Sequence, residues 1–186
     1  MLKSLILDGL DEIRDRILVG QSLSGVYDND YLSYGANPVQ SSSYQMIRKA
    51  FELSSGFGCV VDVGCGMGRF LFQMERLGYK GQLIGVEIDP TYAAFCELKA
   101  RRYKNITILN IDALSYSIDK DAMVYMYNPF KENLARAFID KLEAKRIFYT
   151  NAVLESCFVP KYKVTQRLNI PLNDGTPVPC LVLDKA

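Results

Sequence analysis

The residues best suited to chemistry fall in four short stretches. Residues 60–70, VVDVGCGMGRF, close an apolar run on Asp62 and then set Gly64, Gly66 and Gly68 on alternate positions. Glycines there admit positive φ and let a ligand lie against the main chain, so the loop offers N–H groups instead of side chains. GVEIDP carries Glu87, a carboxylate able to accept both hydroxyls of a ribose, and LNIDAL carries Asp112, able to accept an adenine amino hydrogen. MYNPF, residues 126–130, sets Asn128 before Pro129 and Phe130. Each stretch also has a plainer use: a tight strand-to-helix turn for the glycines, solvated strand ends for the acids, and an Asn-Pro turn followed by a helix.

Other chemistry is scarce. The chain has no histidine, which excludes histidine-based triads, H-E-x-x-H zinc chemistry and the commonest general base near neutral pH. Five cysteines, Cys59, Cys65, Cys96, Cys157 and Cys180, are odd in number and form no C-x-x-C pair. They read as reduced, mostly buried thiols, and no metal site is expected. With 22 basic and 21 acidic residues the formal charge is +1, so the totals carry no signal for nucleic acid or a membrane surface. Asp8, Asp11 and Glu12 interrupt the N-terminal apolar residues, and no stretch approaches the roughly 18 apolar residues of a membrane span. A cytoplasmic location is the expectation.

The elements that must position these residues follow from length and periodicity. At 186 residues, 49% apolar and 23% charged, the chain suits one compact domain. Leu2, Leu5, Ile6, Ile13, Ile17 and Leu18 predict an amphipathic N-terminal helix. A polar connection over residues 20–43 and a second helix over 44–53 follow. Apolar runs at CVVDV, QLIGVEI, ITILNI, AMVYMY and RIFYTNAVL are strand-length, and each but the last precedes a segment of helical character. Met67, Phe70, Leu71, Met74 and Leu77 make one helix face, closed by Gly78. Asp89 and Pro90 open the next helix as N-cap and first-turn proline. Continuous apolar strands imply a sheet buried on both faces, hence largely parallel. The tail predicts an antiparallel hairpin about Asn173-Asp174-Gly175, with Pro171, Pro177 and Pro179 near edges or strand ends.

In order and spacing, VVDVGCGMGRF, GVEIDP and LNIDA resemble the class I S-adenosylmethionine-dependent methyltransferase family, over residues 59–151. A dinucleotide loop would read G-x-G-x-x-G; here the third glycine comes one residue early. The resemblance implies an α/β, Rossmann-like three-layer sandwich: a mostly parallel seven-stranded sheet with an antiparallel C-terminal hairpin. Residues 1–55 would form N-terminal helices and a lid segment, and 56–186 the cofactor-binding core. It implies that Asp62, Gly64, Cys65, Gly66 and Gly68 surround the amino-acid end of S-adenosyl-L-methionine, that Glu87 holds the ribose, and that Ile88, Asp112 and Ala113 flank the adenine. MYNPF resembles the D/N-P-P-Y/F motif of methyltransferases acting on amino nitrogen but lacks its second proline. Asn128, Pro129 and Phe130 are accordingly the substrate-binding candidates, with no residue assigned as catalytic. Tyr31, Tyr34, Ser42 and Tyr44 are placed to reach over the cofactor. The expected acceptor is a nitrogen of a small molecule or protein side chain, with no membrane partner and no reading of oligomeric state. A nicotinamide-dependent oxidoreductase, sharing the ribose acid, and a non-catalytic S-adenosylmethionine-binding protein remain the alternatives.

Overall fold

The structure, a computed structural model, describes residue 10 and residues 13–172 and 175–186. Residues 13–19 are helical (α1). Then come β1 (Val26–Tyr27), a 3-10 turn (Leu32–Tyr34), β2 (Val39–Gln40), α2 (Tyr44–Leu53), β3 (Cys59–Val63), α3 (Arg69–Arg76), β4 (Gln82–Glu87), α4 (Pro90–Ala100) and β5 (Ile106–Asn110). After these follow β6 (Met123–Tyr127), α5 (Glu132–Lys141), β7 (Arg146–Thr150), β8 (Tyr162–Pro171) and β9 (Pro177–Lys185).

The main sheet has seven strands in the order β5-β4-β3-β6-β7-β9-β8. β3 is its pivot. It pairs in parallel with β4 on one side and β6 on the other, so the chain winds outward one way through β5 and then reverses through β6 and β7. β9 runs antiparallel to both β7 and β8, giving the hairpin that the tail predicts. Asn173 and Asp174 lie outside the described residues; Gly175 has φ 87°. Pro171 and Pro177 close the paired ends of β8 and β9. Pro179 sits inside β9 but beyond the last residue pair with β7, Thr150↔Cys180.

Alternate residues of the strands bury into two cores. On one face Val60, Leu83, Tyr125 and Phe148 pack with Leu18, Val19, Met46, Ile47, Leu71, Phe72 and Met74 from α1 to α3, and with Cys96 and Ala100 from α4. On the other, Val61, Val63, Val124, Met126 and Ile147 pack with Ala135, Phe138 and Ile139 of α5. Helix ends follow local chemistry: the Asp89 side chain accepts from Thr91 N–H ahead of Pro90, and Ser43 Oγ accepts from Met46 N–H at the start of α2.

Two expectations change. The connection after β5 is not an α-helix but a single 3-10 turn (Ala113–Ser115), because Asp112 turns the chain by accepting from Leu114 N–H and the following residues are polar and short of a helical apolar face. In α1, Ile13 and Ile17 are exposed, while Leu18 and Val19 are buried together with the charged Asp15. Leu2, Leu5 and Ile6 lie outside the described residues. Among the described residues no helix is long and apolar enough to cross a membrane.

Candidate functional site

The glycine loop leaves the carboxyl end of β3 at the point where the strand order reverses, the place where open α/β sheets bind ligands. Gly64 and Cys65 N–H both donate to Val86 O, at 2.9 and 3.1 Å, folding the loop over β4. Gly64 has φ 75°, and a Cβ there would stand 2.9 Å from Pro129 Cβ. Gly66 has φ 52°, and its Cβ would meet Val39 Cγ1 at 2.7 Å. Gly68 differs from the expectation: a Cβ there would meet Cys96 Sγ at 2.4 Å and Phe72 at 2.8 Å, so it faces the protein interior and seats α3 against α4. The Cys65 thiol is pushed well up by its contact with Cys96 and by burial, which makes it an inert thiol.

The acids take different states. Glu87 is buried; its Oε2 accepts from Gly66 N–H at 2.7 Å and its Oε1 from Asp89 N–H at 2.9 Å. Burial raises its pKa against the pull of those two N–H groups. Asp62 is 4% exposed and has no hydrogen-bond partner among the described residues. Burial first, and the Glu87 charge second, push its carboxyl well above the usual range. It lines a small cavity with Gly64, Cys65, Gly66 and Arg69. Asp112 is exposed at the opposite end.

Between these ends runs a cleft of about 850 Å³, open to solvent, lined by Gly64, Glu87, Ile88, Asp112 and Ala113 from the core. Its roof is the strap that joins α1 to α2. Tyr31 and Tyr34, both named from the sequence, line it, along with Asn37 to Gln40. The strap is fastened on both sides. Asn37 N–H donates to Pro129 O at 2.9 Å, Lys131 N–H to Gly35 O at 2.7 Å, and Asn37 Nδ2 to the carbonyls of Asn128 and Phe130 at 2.8 and 3.1 Å. Across the cleft Tyr92 hydroxyl donates to Asp28 O at 2.7 Å. Ser42 lines the small cavity at Asp62 instead of the cleft, and Tyr44 lines neither. Ser42 Oγ accepts the buried Tyr125 hydroxyl at 2.5 Å, and Tyr44 is a core residue whose hydroxyl donates to Asp15.

The NPF stretch divides. Pro129 and Phe130 line the cleft, and Phe130 also packs on Phe138 with ring centroids 5.3 Å apart. Asn128 alone of the three lines a second cavity, which adjoins the cleft across Asn37, Pro38, Gln40 and Tyr127. Its Oδ1 accepts the Tyr149 hydroxyl at 2.7 Å, leaving one lone pair on that oxygen.

One polar cluster escaped the sequence. Arg69, the first residue of α3, donates from Nε to Asp15 Oδ1 at 2.9 Å and from an Nη to Asp15 Oδ2 at 2.5 Å. It also reaches Ser42 O, and its guanidinium lies 5.5 Å from the Tyr44 ring centroid. The partners are 54 residues apart in the chain, and an acid within an amphipathic helix gives no sign of pointing inward.

Residues 60–143 match the methyltransferase domain family. No curated protein matches the chain. Among solved structures, a SAM-dependent methyltransferase from Aquifex aeolicus is 15% identical with TM-score 0.59, over 98% of each chain. A putative RNA methyltransferase from Pyrococcus horikoshii is 20% identical, TM-score 0.60, over 76% of this chain and 80% of that one. The N-methyltransferase NodS from Bradyrhizobium japonicum, in complex with S-adenosyl-L-homocysteine, is 16% identical, TM-score 0.57, over 76% and 84%. Residues 60–143 are thus similar to the methyltransferase domain family, and they are carried on the doubly wound sheet that the chain shares with these solved structures.

Proposed function

We propose that the protein transfers the methyl group of S-adenosyl-L-methionine to a neutral nitrogen of an acceptor seated beyond Asn128. The observation that carries this reading is Asp62: a carboxylate almost fully buried, without a partner among the described residues, facing a cavity beside the glycine loop. A buried carboxylate of that kind is costly unless a cation comes to it, and the α-ammonium of the cofactor is such a cation. The remaining residues fit the rest of the molecule. Glu87 keeps lone pairs for the ribose hydroxyls beyond the two N–H groups it already holds. Ile88 and Ala113 give apolar surface for an adenine ring, and Asp112 an acceptor at its amino edge.

When bound, the cofactor supplies an electrophilic methyl on a sulfonium, which is already a good leaving group. The chain's own contribution is therefore placement. Proximity and orientation alone lower such a barrier by about 7–11 kcal/mol. The strap and the NPF loop are hydrogen-bonded to each other where the cleft adjoins the acceptor cavity, which fixes the junction across which the methyl group passes. The free lone pair of Asn128 Oδ1 accepts from an acceptor N–H and aims the nitrogen; Tyr149 holds the carboxamide in place. Among the described residues none that lines the acceptor cavity is charged, which suits a nitrogen that is neutral at working pH and needs no strong base.

The test is transfer of labelled methyl from S-adenosylmethionine into fractionated low-mass extract. Label should enter a small nitrogen compound, and Asn128→Ala should lower turnover while leaving cofactor affinity unchanged. Equal loss of both would assign Asn128 to structure alone.

A further inference from the structure

The second cavity is open to solvent and, among the described residues, has an unusual lining: four carboxamides, Asn37, Gln40, Asn128 and Asn151, together with Val26, Pro38 and Tyr127. Among the described residues, Asn128 (φ 42°) and Asn151 (φ 53°) are the non-glycine positions with positive φ. They directly follow β6 and β7, and the pairing of Tyr127 with Thr150 sets them side by side at the carboxyl edge of the sheet. Left-handed backbone is rare at residues with a Cβ, Asn being the one that adopts it most readily, and such positions cluster at ligand sites. Here it occurs twice, with the same residue type, around one cavity.

The hydrogen-bond inventory separates the four. Asn37 Nδ2 is committed to two carbonyls of the NPF loop, and Asn128 Oδ1 holds the Tyr149 hydroxyl. The side-chain amides of Gln40 and Asn151 have no partner among the described residues, so each presents a donor beside an acceptor. Such a pair reads a complementary donor–acceptor edge, as carboxamides do on the edge of adenine. Among the described residues none that lines the cavity carries a charge to receive a carboxylate, phosphate or ammonium.

We propose that the methyl acceptor is an uncharged small molecule, such as an amino-heterocycle, that presents an amide-like donor–acceptor edge apart from the nitrogen that is methylated, and that Gln40 and Asn151, which read that edge, are its specificity-determining residues. This rests on the methyl-transfer reading above.

The experiment uses the full chain, isotopically labelled, with and without saturating S-adenosylhomocysteine, so that cofactor binding is scored on its own signals and the two readings fail separately. Nicotinamide and cytosine are titrated as neutral probes, benzoate and benzylamine as charged ones. The expected result is that the neutral probes shift the side-chain amide signals of Gln40 and Asn151 and bind in preference to the charged ones. Asn151→Asp should weaken them about tenfold, the size of one lost hydrogen bond, with cofactor affinity unchanged. Asp tolerates left-handed backbone as Asn does, and Gln40→Glu should weaken the neutral probes likewise. Charged probes binding as tightly as neutral ones, or neutral probes leaving both amides unshifted, would overturn the proposal. Tighter binding of a cytidine oligonucleotide than of free cytosine would overturn its small-molecule part.

Discussion

Asp15→Asn is the perturbation whose size follows most directly from the structure. The Asp15 carboxylate is fully buried and accepts four hydrogen bonds: Arg69 Nε and Tyr44 hydroxyl on Oδ1, at 2.9 and 2.8 Å, and an Arg69 Nη and Leu23 N–H on Oδ2, at 2.5 and 2.8 Å. Asparagine keeps one oxygen and turns an NH2 toward two donors. It also leaves a guanidinium, whose side chain is 3% exposed, without a counter-charge. Breaking a buried pair from one side costs about 3–5 kcal/mol, a large part of the 5–15 kcal/mol that holds a typical domain. Urea denaturation should show that loss as a lower midpoint with an unchanged slope. The double variant Asp15→Leu, Arg69→Met removes both charges and should lose less than the single one, because an apolar pair of similar volume replaces an ion pair at little cost. A single-variant loss below about 1 kcal/mol, or a double variant worse than the single, would refute this account of how α1 is tied to α3.

Further outcomes are expected at Glu87, Asp62 and Gly64. Glu87→Ala should weaken S-adenosylmethionine binding by about 1–3 kcal/mol, the range for losing hydrogen bonds to a charged group, read by calorimetry; unchanged affinity in a folded variant would remove Glu87 from the ribose. Asp62 holds its proton above the usual carboxylate range in the ligand-free fold. Its contribution to stability is therefore full below the unfolded pKa and is lost as pH rises through the raised one, a loss that Asp62→Asn should abolish in denaturation series. Because an ammonium ligand favours the ionised form, S-adenosylhomocysteine affinity should rise over the same pH interval in the native protein and stay flat in Asp62→Asn. Gly64→Ala places a Cβ 2.9 Å from Pro129 Cβ at φ 75°, so it should destabilise the fold by about 1–3 kcal/mol; a thermal midpoint equal to that of the native chain would mean the NPF loop yields freely.

What the sequence made legible was local. The glycine loop, the acids at strand ends and the cap at Asp89 each depend on a few adjacent residues, and β3 to β7 followed from unbroken apolar runs. Contacts between distant segments were not legible. Asn37 meets the NPF carbonyls across about ninety residues of chain, and Asn151 reaches the acceptor cavity only because β7 lies beside β6. Tyr44 was expected to reach over the cofactor, yet the Ser43 cap starts a helix that turns it into the core. Gly68 shared the spacing of Gly64 and Gly66, but spacing does not tell a backbone that approaches a ligand from one that approaches a helix. The 3-10 turn after β5 replaced a helix because one Asx cap is enough to turn a short polar connection.

The measurement that bears most directly on the central claim is calorimetric titration of the full chain with S-adenosylhomocysteine and, in parallel, with NAD. The account predicts saturable one-to-one binding of the first, weakened in Asp62→Asn, with NAD inert. Binding of NAD without S-adenosylhomocysteine, or of S-adenosylhomocysteine with equal affinity in the native and Asp62→Asn proteins, would contradict it.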